Sequence, residues 1–135
     1  MKSTTEPVHF EHPQELLRYL YADLTRISQV VSPNIILHPY DASLANLHGI
    51  TAVQAHEEAL VAATGSTLSM SVESILVSSV FGVVSGTMRA RRPGSEDLEA
   101  GFRGLWRFED GIPVEHWEAI TGDAQKVARW FMDAN

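Results

Sequence analysis

The residues best suited to acid–base chemistry lie close together near the end of the chain. His116 and Glu118 are two positions apart in a run, 112–120, whose composition predicts a β-strand. Because side chains alternate faces along a strand, these two share one face. A carboxylate beside an imidazole in a partly dry pocket can act as a general acid–base pair. The alternative is a structural hydrogen bond between the two side chains.

A second polar pair, His38 and Tyr40, lies in a short β-like run, 34–40. Pro39 confines this run to an edge or an irregular strand. By alternation the two side chains share a face, and either could hold the oxyanion of an enolate. We expect His38 to lie across the pocket from Glu118. The alternative is that both are amphipathic residues of the pocket wall, and for Tyr40 this is the favoured interpretation.

Apolar residues on three elements are expected to form the rest of the pocket wall. Trp106 could be the floor for a flat, apolar ligand, or ordinary core. Leu20 on the first helix and Leu37 on the short strand would lower the dielectric around the acid–base pair. Arg107, on the strand face opposite Trp106, could clamp a carboxylate or remain solvated.

The sequence motifs for metals and organic cofactors are missing. The run 56–60 begins like a zincin helix, but Leu60 stands where the second histidine must be. Cysteine is absent, which excludes thiolate nucleophiles and cysteine-based zinc sites. His9, His12 and His56 are interpreted as surface residues, and no phosphate loop, dinucleotide fingerprint or nucleophile elbow is present. We therefore expect neither a metal nor a cofactor.

The elements that position these residues follow from the hydrophobic period. Apolar residues at spacings of three and four predict one helix of roughly five turns from Pro13 to Val31. A second helix is expected to begin at Thr51, a good N-cap residue, and to end near Gly65. The polar residues 1–12 predict a loose N-terminal arm.

The second half of the chain changes to an extended pattern. Four long runs between about residues 67 and 121 predict an antiparallel meander, with Pro93-Gly94 and Asp110-Gly111 at two of its turns. Because elements of one type follow one another, the fold class is α+β. Glycines inside the strands predict bends, so the sheet should wrap over the helices as a cone with one hollow.

The bulk properties predict one domain, 1–135, that binds neither nucleic acid nor a membrane. The formal net charge is −7, whereas nucleic-acid binders usually present a basic face. The basic cluster of Arg89, Arg91 and Arg92 is interpreted as a solvated hairpin tip, and anion binding is the less favoured alternative. No apolar run approaches the ~20 residues needed to span a bilayer. Since a signal-peptide pattern is also missing, we expect a cytoplasmic protein.

The run 104–118, Gly-Leu-Trp-Arg-Phe-Glu-Asp-Gly-Ile-Pro-Val-Glu-His-Trp-Glu, resembles the signature of SnoaL-like polyketide cyclases. That family lies within the superfamily of cone-shaped α+β barrels that includes ketosteroid isomerase. His38 followed by His48-Gly49 before a helix also resembles the family. Two positions depart from it: many relatives carry Asp in place of Glu118, and Pro113 replaces a lysine or polar residue.

Two functions are compatible with these observations. The resemblance implies a cofactor-free cyclase, isomerase or lyase that moves a proton on a small, mostly apolar carbonyl compound. The alternative is a non-catalytic homodimeric module that holds a small hydrophobic molecule. A homodimer is expected because the outer face of the sheet carries Val83, Leu105 and Trp117.

Overall fold

The computed structural model describes residues 8–41 and 43–133. Of the predicted N-terminal arm, residues 1–7 lie outside the described residues, and residues 8–12 form neither helix nor strand. The elements in chain order are α1 (Pro13–Ala22), a 3-10 turn (Leu24–Arg26), α2 (Ile27–Val30), β1 (Ile36–His38), β2 (Leu47–His48), α3 (Ile50–Ala63), β3 (Ser69–Val77), β4 (Phe81–Ala90), β5 (Leu98–Glu109), β6 (Ile112–Ile120) and α4 (Ala124–Met132).

The strands of the described residues form one six-stranded sheet in the order β2-β1-β6-β5-β4-β3. The four long strands pair antiparallel, as predicted. The short strand β1 pairs in parallel with β6 and antiparallel with β2. Because β2 and β3 remain free edges, the sheet is an open cone and not a closed barrel. No helix in the described part of the chain is long and apolar enough to cross a membrane.

The first predicted helix is interrupted, and the prediction of one five-turn helix is wrong. Asp23 is extended, with φ −159° and ψ 104°, and its side chain accepts a hydrogen bond from the Thr25 backbone N–H at 3.0 Å. Such local side-chain bonds compete with continuation of a helix. The chain therefore runs as α1, a 3-10 turn and α2.

The second helix begins two residues before the predicted start. Gly49, and not Thr51, is the N-cap of α3. Gly49 has φ +90°, a conformation that glycine adopts at little steric cost. The sequence pattern favoured Thr51 because its hydroxyl is a good cap, but the backbone at this entry requires a left-handed residue.

The core lies between the helices and the inner face of the sheet. Along β4 every second residue is buried, and Val84 and Met88 point inward. The inner face of β5 contributes Phe102, Trp106 and Phe108. These meet the buried face of the N-terminal helices, which carries Leu16, Leu17, Leu20, Ile27, Val30 and Val31.

The C-terminal helix, α4, packs at one end of this core and contacts Arg92. The Arg92 guanidinium lies 3.8 Å from the ring centroid of Trp130 and donates a hydrogen bond of 2.8 Å to the Trp130 carbonyl. Arg92 is thus a packing residue that anchors α4, and its assignment to a solvated hairpin tip is wrong. Arg89 and Arg91 are exposed, as predicted.

A bulge in β3 brings two backbones together. Val72 pairs with Gly86 and Ser74 with Ser85, so Glu73 is an extra residue. Bulges of this kind bend a strand and increase its twist. A Cβ on Gly86 would overlap the Ser71 carbonyl group, which belongs to the backbone and cannot move aside cheaply. The bend of the sheet at this point therefore requires glycine.

We predict that Gly86→Ala lowers the free energy of unfolding by about 1–3 kcal/mol, because the added methyl group must displace the Ser71 backbone. Gly122→Ala is the matched control, since a Cβ there meets no described atom within 4 Å. Urea denaturation of both variants measures the difference. Equal stability of the two variants would contradict this account of the bend.

Candidate functional site

A cavity opens between the helices and the inner face of the sheet. Its wall is mostly apolar and includes Leu20, Leu24, Ile27, Leu60, Leu68, Met70, Met88, Phe102, Trp106, Ile120 and Phe131. The space open to the centre of a water molecule is about 70 Å³, whereas one water needs roughly 10–15 Å³. The cavity therefore has room for a small organic molecule.

His116 and Glu118 share one face of β6, as alternation predicted, and both lie on the cavity wall. The His116 ring stacks on Trp106, with ring centroids 3.6 Å apart. Its Nδ1 lies 3.1 Å from the Leu105 carbonyl oxygen. Since a carbonyl only accepts, Nδ1 carries the hydrogen and Nε2 is left as an acceptor. Burial lowers the pKa of His116 to about 4, so the ring is neutral near pH 7.

Glu57 of α3 is a site residue that the sequence analysis missed. It is only 3% exposed, lines the cavity, and its Oε2 has no hydrogen-bond partner among the described residues. Burial, and secondly the negative charge of Glu118, raise the pKa of Glu57 well above its ordinary value. The sequence did contain a signal, because Glu57 follows the inward-facing Val53 by four residues, one helical turn.

His56 pairs with Glu118, and the interpretation of His56 as a surface residue is wrong. Its Nε2 lies 3.3 Å from Glu118 Oε2, and the two side chains are 21% and 17% exposed. Glu118 therefore pairs with a helix residue and not with its strand neighbour His116. Ligand atoms of His56, Glu57 and Glu118 all lie within 4.8 Å of one another. His9 and His12 are exposed, as predicted.

Two tyrosine hydroxyls add polar groups to the wall. Tyr21 of α1 is buried, and its hydroxyl accepts a hydrogen bond of 3.1 Å from Trp106 Nε1. Burial raises the pKa of Tyr21, so it remains a neutral phenol. Tyr40 is half-buried at the cavity, and burial also raises its pKa. Leu20 and Trp106 lie on this wall, where the sequence analysis had placed them.

His38 does not face the cavity, and its predicted position across from Glu118 is wrong. The parallel register sets His38 opposite Trp117, which is on the outer face of β6. There the His38 ring stacks on Trp117, with centroids 4.9 Å apart, and its Nε2 bonds Glu115 Oε2 at 2.6 Å. Tyr40 lies at the cavity and not on this outer face, because β1 ends at His38 and the alternation does not continue through Pro39.

Leu37 was also misplaced by the sequence analysis. It is fully buried and pairs in register with His116, but it belongs to the core and does not line the cavity. Arg107 donates hydrogen bonds to Glu109 at 2.8 Å and to Glu115 at 3.0 Å, on the outer face. Its charge is thus satisfied by neighbouring carboxylates on the face opposite Trp106, where the sequence had placed it.

We predict that His116 makes the protein sensitive to mild acid. Its pKa is depressed in the folded state, so as pH falls below about 6.5 the unfolded chain binds the proton first and stability is lost. Between pH 7 and pH 4 the free energy of unfolding of the wild type should fall by roughly 3 kcal/mol more than that of His116→Gln, because glutamine does not titrate. Urea denaturation at several pH values measures this difference. Parallel pH profiles would contradict the predicted neutral, buried ring.

Comparison with known proteins identifies the fold. No protein-family model matches the chain, and no curated protein matches it. Among solved structures, a protein described as a SnoaL-like polyketide cyclase from Jannaschia sp. CCS1 matches with a TM-score of 0.72 at 16% identity, over 88% of this chain and 90% of that one. Bal32a, from a soil-derived mobile gene cassette, matches with a TM-score of 0.77 at 19% identity, over 88% of this chain and 95% of Bal32a.

A third similar structure is TerC, which was co-crystallised with polyporic acid. It matches with a TM-score of 0.72 at 13% identity, over 89% of this chain and 98% of TerC. Likenesses at such low identity concern architecture, and one architecture hosts many functions. The chain therefore has the cone-shaped α+β fold of SnoaL-like proteins.

Proposed function

We propose that this protein binds a small, largely apolar carbonyl compound in the cavity and moves a proton on it without a cofactor. The observation that carries the proposal is a pair of carboxyl groups on an apolar wall: Glu57 and Glu118, with oxygens within 4.8 Å of each other. A mostly apolar pocket with a few converging polar groups is the usual form of a small-molecule site.

The two carboxyl groups are suited to different roles. Burial, and secondly the neighbouring charge of Glu118, raise the pKa of Glu57, which favours its protonated form. Glu57 is the more buried and keeps the proton, which lets it donate a hydrogen bond to a developing oxyanion. Glu118 is then the general base that takes a proton from the carbon next to the carbonyl.

The surrounding groups support this division of roles. His56 lies 3.3 Å from Glu118 and holds its carboxylate at the cavity wall. The Tyr40 hydroxyl is a second possible donor to the oxyanion, and Trp106 offers a flat surface. The solved structure of TerC with polyporic acid and the polyketide-cyclase description of the Jannaschia protein agree with a pocket for small organic molecules.

The test is hydrogen–deuterium exchange of 2-indanone, a small apolar ketone with acidic α-protons, followed by NMR in D2O. We expect the wild type to accelerate exchange and Glu118→Gln to lower the enzymatic rate by about 10²–10⁴-fold, because the base is lost. Binding of the ketone, measured by ligand-observed NMR, should change little. Glu115→Gln is the matched control, since Glu115 lies on the opposite face of β6.

Two outcomes would overturn the proton transfer. If 2-indanone binds and the wild type does not accelerate exchange, the non-catalytic binding module is the better function. If Glu118→Gln exchanges as fast as the wild type, Glu118 is not the base. Equal losses in Glu118→Gln and Glu115→Gln would indicate a general structural effect.

We further propose that the outer face of the sheet joins two copies into a homodimer. The strand registers align one row of side chains across five strands: Leu76, Val83, Leu105, Trp117 and His38. Leu76 in this row is 70% exposed. The row is apolar except for His38, and such a row on one sheet face can meet its own copy about a two-fold axis.

For this homodimer we predict a light-scattering mass near twice 14.9 kDa at micromolar concentration. Leu105→Lys should shift the mass to that of one chain, because it places a charge in the centre of the row. Glu99→Lys lies on the same strand outside the row and should stay dimeric. A wild-type mass near 14.9 kDa would rule out the proposed interface.

A further inference from the structure

The geometry of His56, Glu57 and Glu118 is close to that of a three-ligand metal site. The atoms His56 Nε2 and Glu118 Oε2 are 3.3 Å apart, and an oxygen of Glu57 completes a triangle whose sides are all within 4.8 Å. In a tetrahedral zinc site the ligand atoms lie roughly 3.3–3.5 Å apart, since zinc bonds to nitrogen and oxygen are ~2.0–2.2 Å long. One side of the triangle already has this length, and the other two are at most 4.8 Å long.

A second observation points independently to a ligand at this place. Glu57 Oε2 is buried on the cavity wall and has no hydrogen-bond partner among the described residues. A buried polar atom without a partner is unfavourable, and such atoms are rare in folded proteins. A cation beside Glu118 would give this oxygen the partner it lacks.

We propose that His56, Glu57 and Glu118 bind one divalent transition-metal cation, such as Zn²⁺, through Nε2 and one oxygen from each carboxylate. The fourth coordination position is then open to the cavity, where a water molecule or an oxygen of a ligand can take it. The sequence predicted no metal because Leu60 interrupts the zincin pattern and cysteine is absent. Here one ligand comes from β6, far along the chain from the two on α3.

The donor set favours a particular class of cation. An imidazole nitrogen suits zinc, iron and related metals, whereas magnesium and calcium prefer oxygen donors and more of them. Two carboxylates and one neutral imidazole also balance a charge of +2, so the buried group as a whole is neutral. Thiolates cannot compete for the metal, because the chain has no cysteine.

Cation binding does not depend on the proton transfer proposed above. A cation and the proton on Glu57 compete for the same carboxyl, and a cation on Glu118 removes the free base. Cation binding and proton transfer by Glu118 therefore exclude each other, and a different experiment measures each of them. If the protein binds stoichiometric zinc but does not accelerate deuterium exchange of 2-indanone, the metal site is supported and the proton transfer is not.

The test is a zinc titration of the full chain after removal of metals with a chelator, read by competition with a chromophoric chelator. We expect one zinc per chain, and no comparable binding of Mg²⁺ at the same concentrations. His56→Gln and Glu118→Gln should each lower zinc affinity at least about 10-fold, by loss of one ligand. His48→Gln is the matched control, because His48 is exposed and on another element.

Glu57→Gln is a second test that keeps the shape of the buried side chain. It replaces an ionisable ligand by a neutral amide and should also weaken zinc binding, while a thermal melt without zinc reports whether it is folded. The proposal is overturned if the wild type binds no stoichiometric zinc. It is equally overturned if His56→Gln binds zinc as tightly as the wild type, since the bound metal would then lie elsewhere.

Discussion

The site depends on one contact, the stacking of the Trp106 indole on the His116 ring, with centroids 3.6 Å apart. Tyr21 accepts the indole hydrogen bond, so the contact ties α1 to β5 and β6. Gly104 leaves room for it, because a Cβ there would overlap the Tyr21 hydroxyl and lie 3.0 Å from the His116 ring. With β6 held at this point, Glu118 two residues on is directed into the same cavity.

The cavity wall also carries a group whose burial is unfavourable, the Glu57 carboxyl. A buried carboxyl on an apolar wall lowers stability unless a proton or a cation neutralises it. Glu57 has both a buried oxygen without a partner and the neighbouring charge of Glu118. Positions that break the general pattern of burial are often functional, which is why the site is assigned here and not to the better-satisfied ion pairs of the outer face.

The long strands and their antiparallel pairing were predictable from sequence, because each extended run is long and is bounded by turn residues. Alternation put His116 and Glu118 on one face but could not say which face lines the cavity. The Asp110-Gly111 turn fixed the hairpin. The predictions that were wrong depended either on a single local side-chain contact or on pairing between distant parts of the chain. The helix break at Asp23 depends on one side-chain bond, and the face of His38 depends on pairing with a strand far along the chain. Glu57 was missed because burial of a carboxyl contradicts composition rules.

The parallel pairing of β1 with β6 also bears on how the chain reaches its native state. The His38–Glu115 contact spans 77 positions in sequence. The meander β3 to β6 needs only hairpin closures between neighbours, whereas β1 must wait until β6 exists. Tyr40 and Glu57, which line the cavity, precede the meander in the chain, whereas Glu118 lies on its last strand. On the ribosome, the cavity is complete only after β6 has emerged, so a shorter nascent chain has no site to occupy.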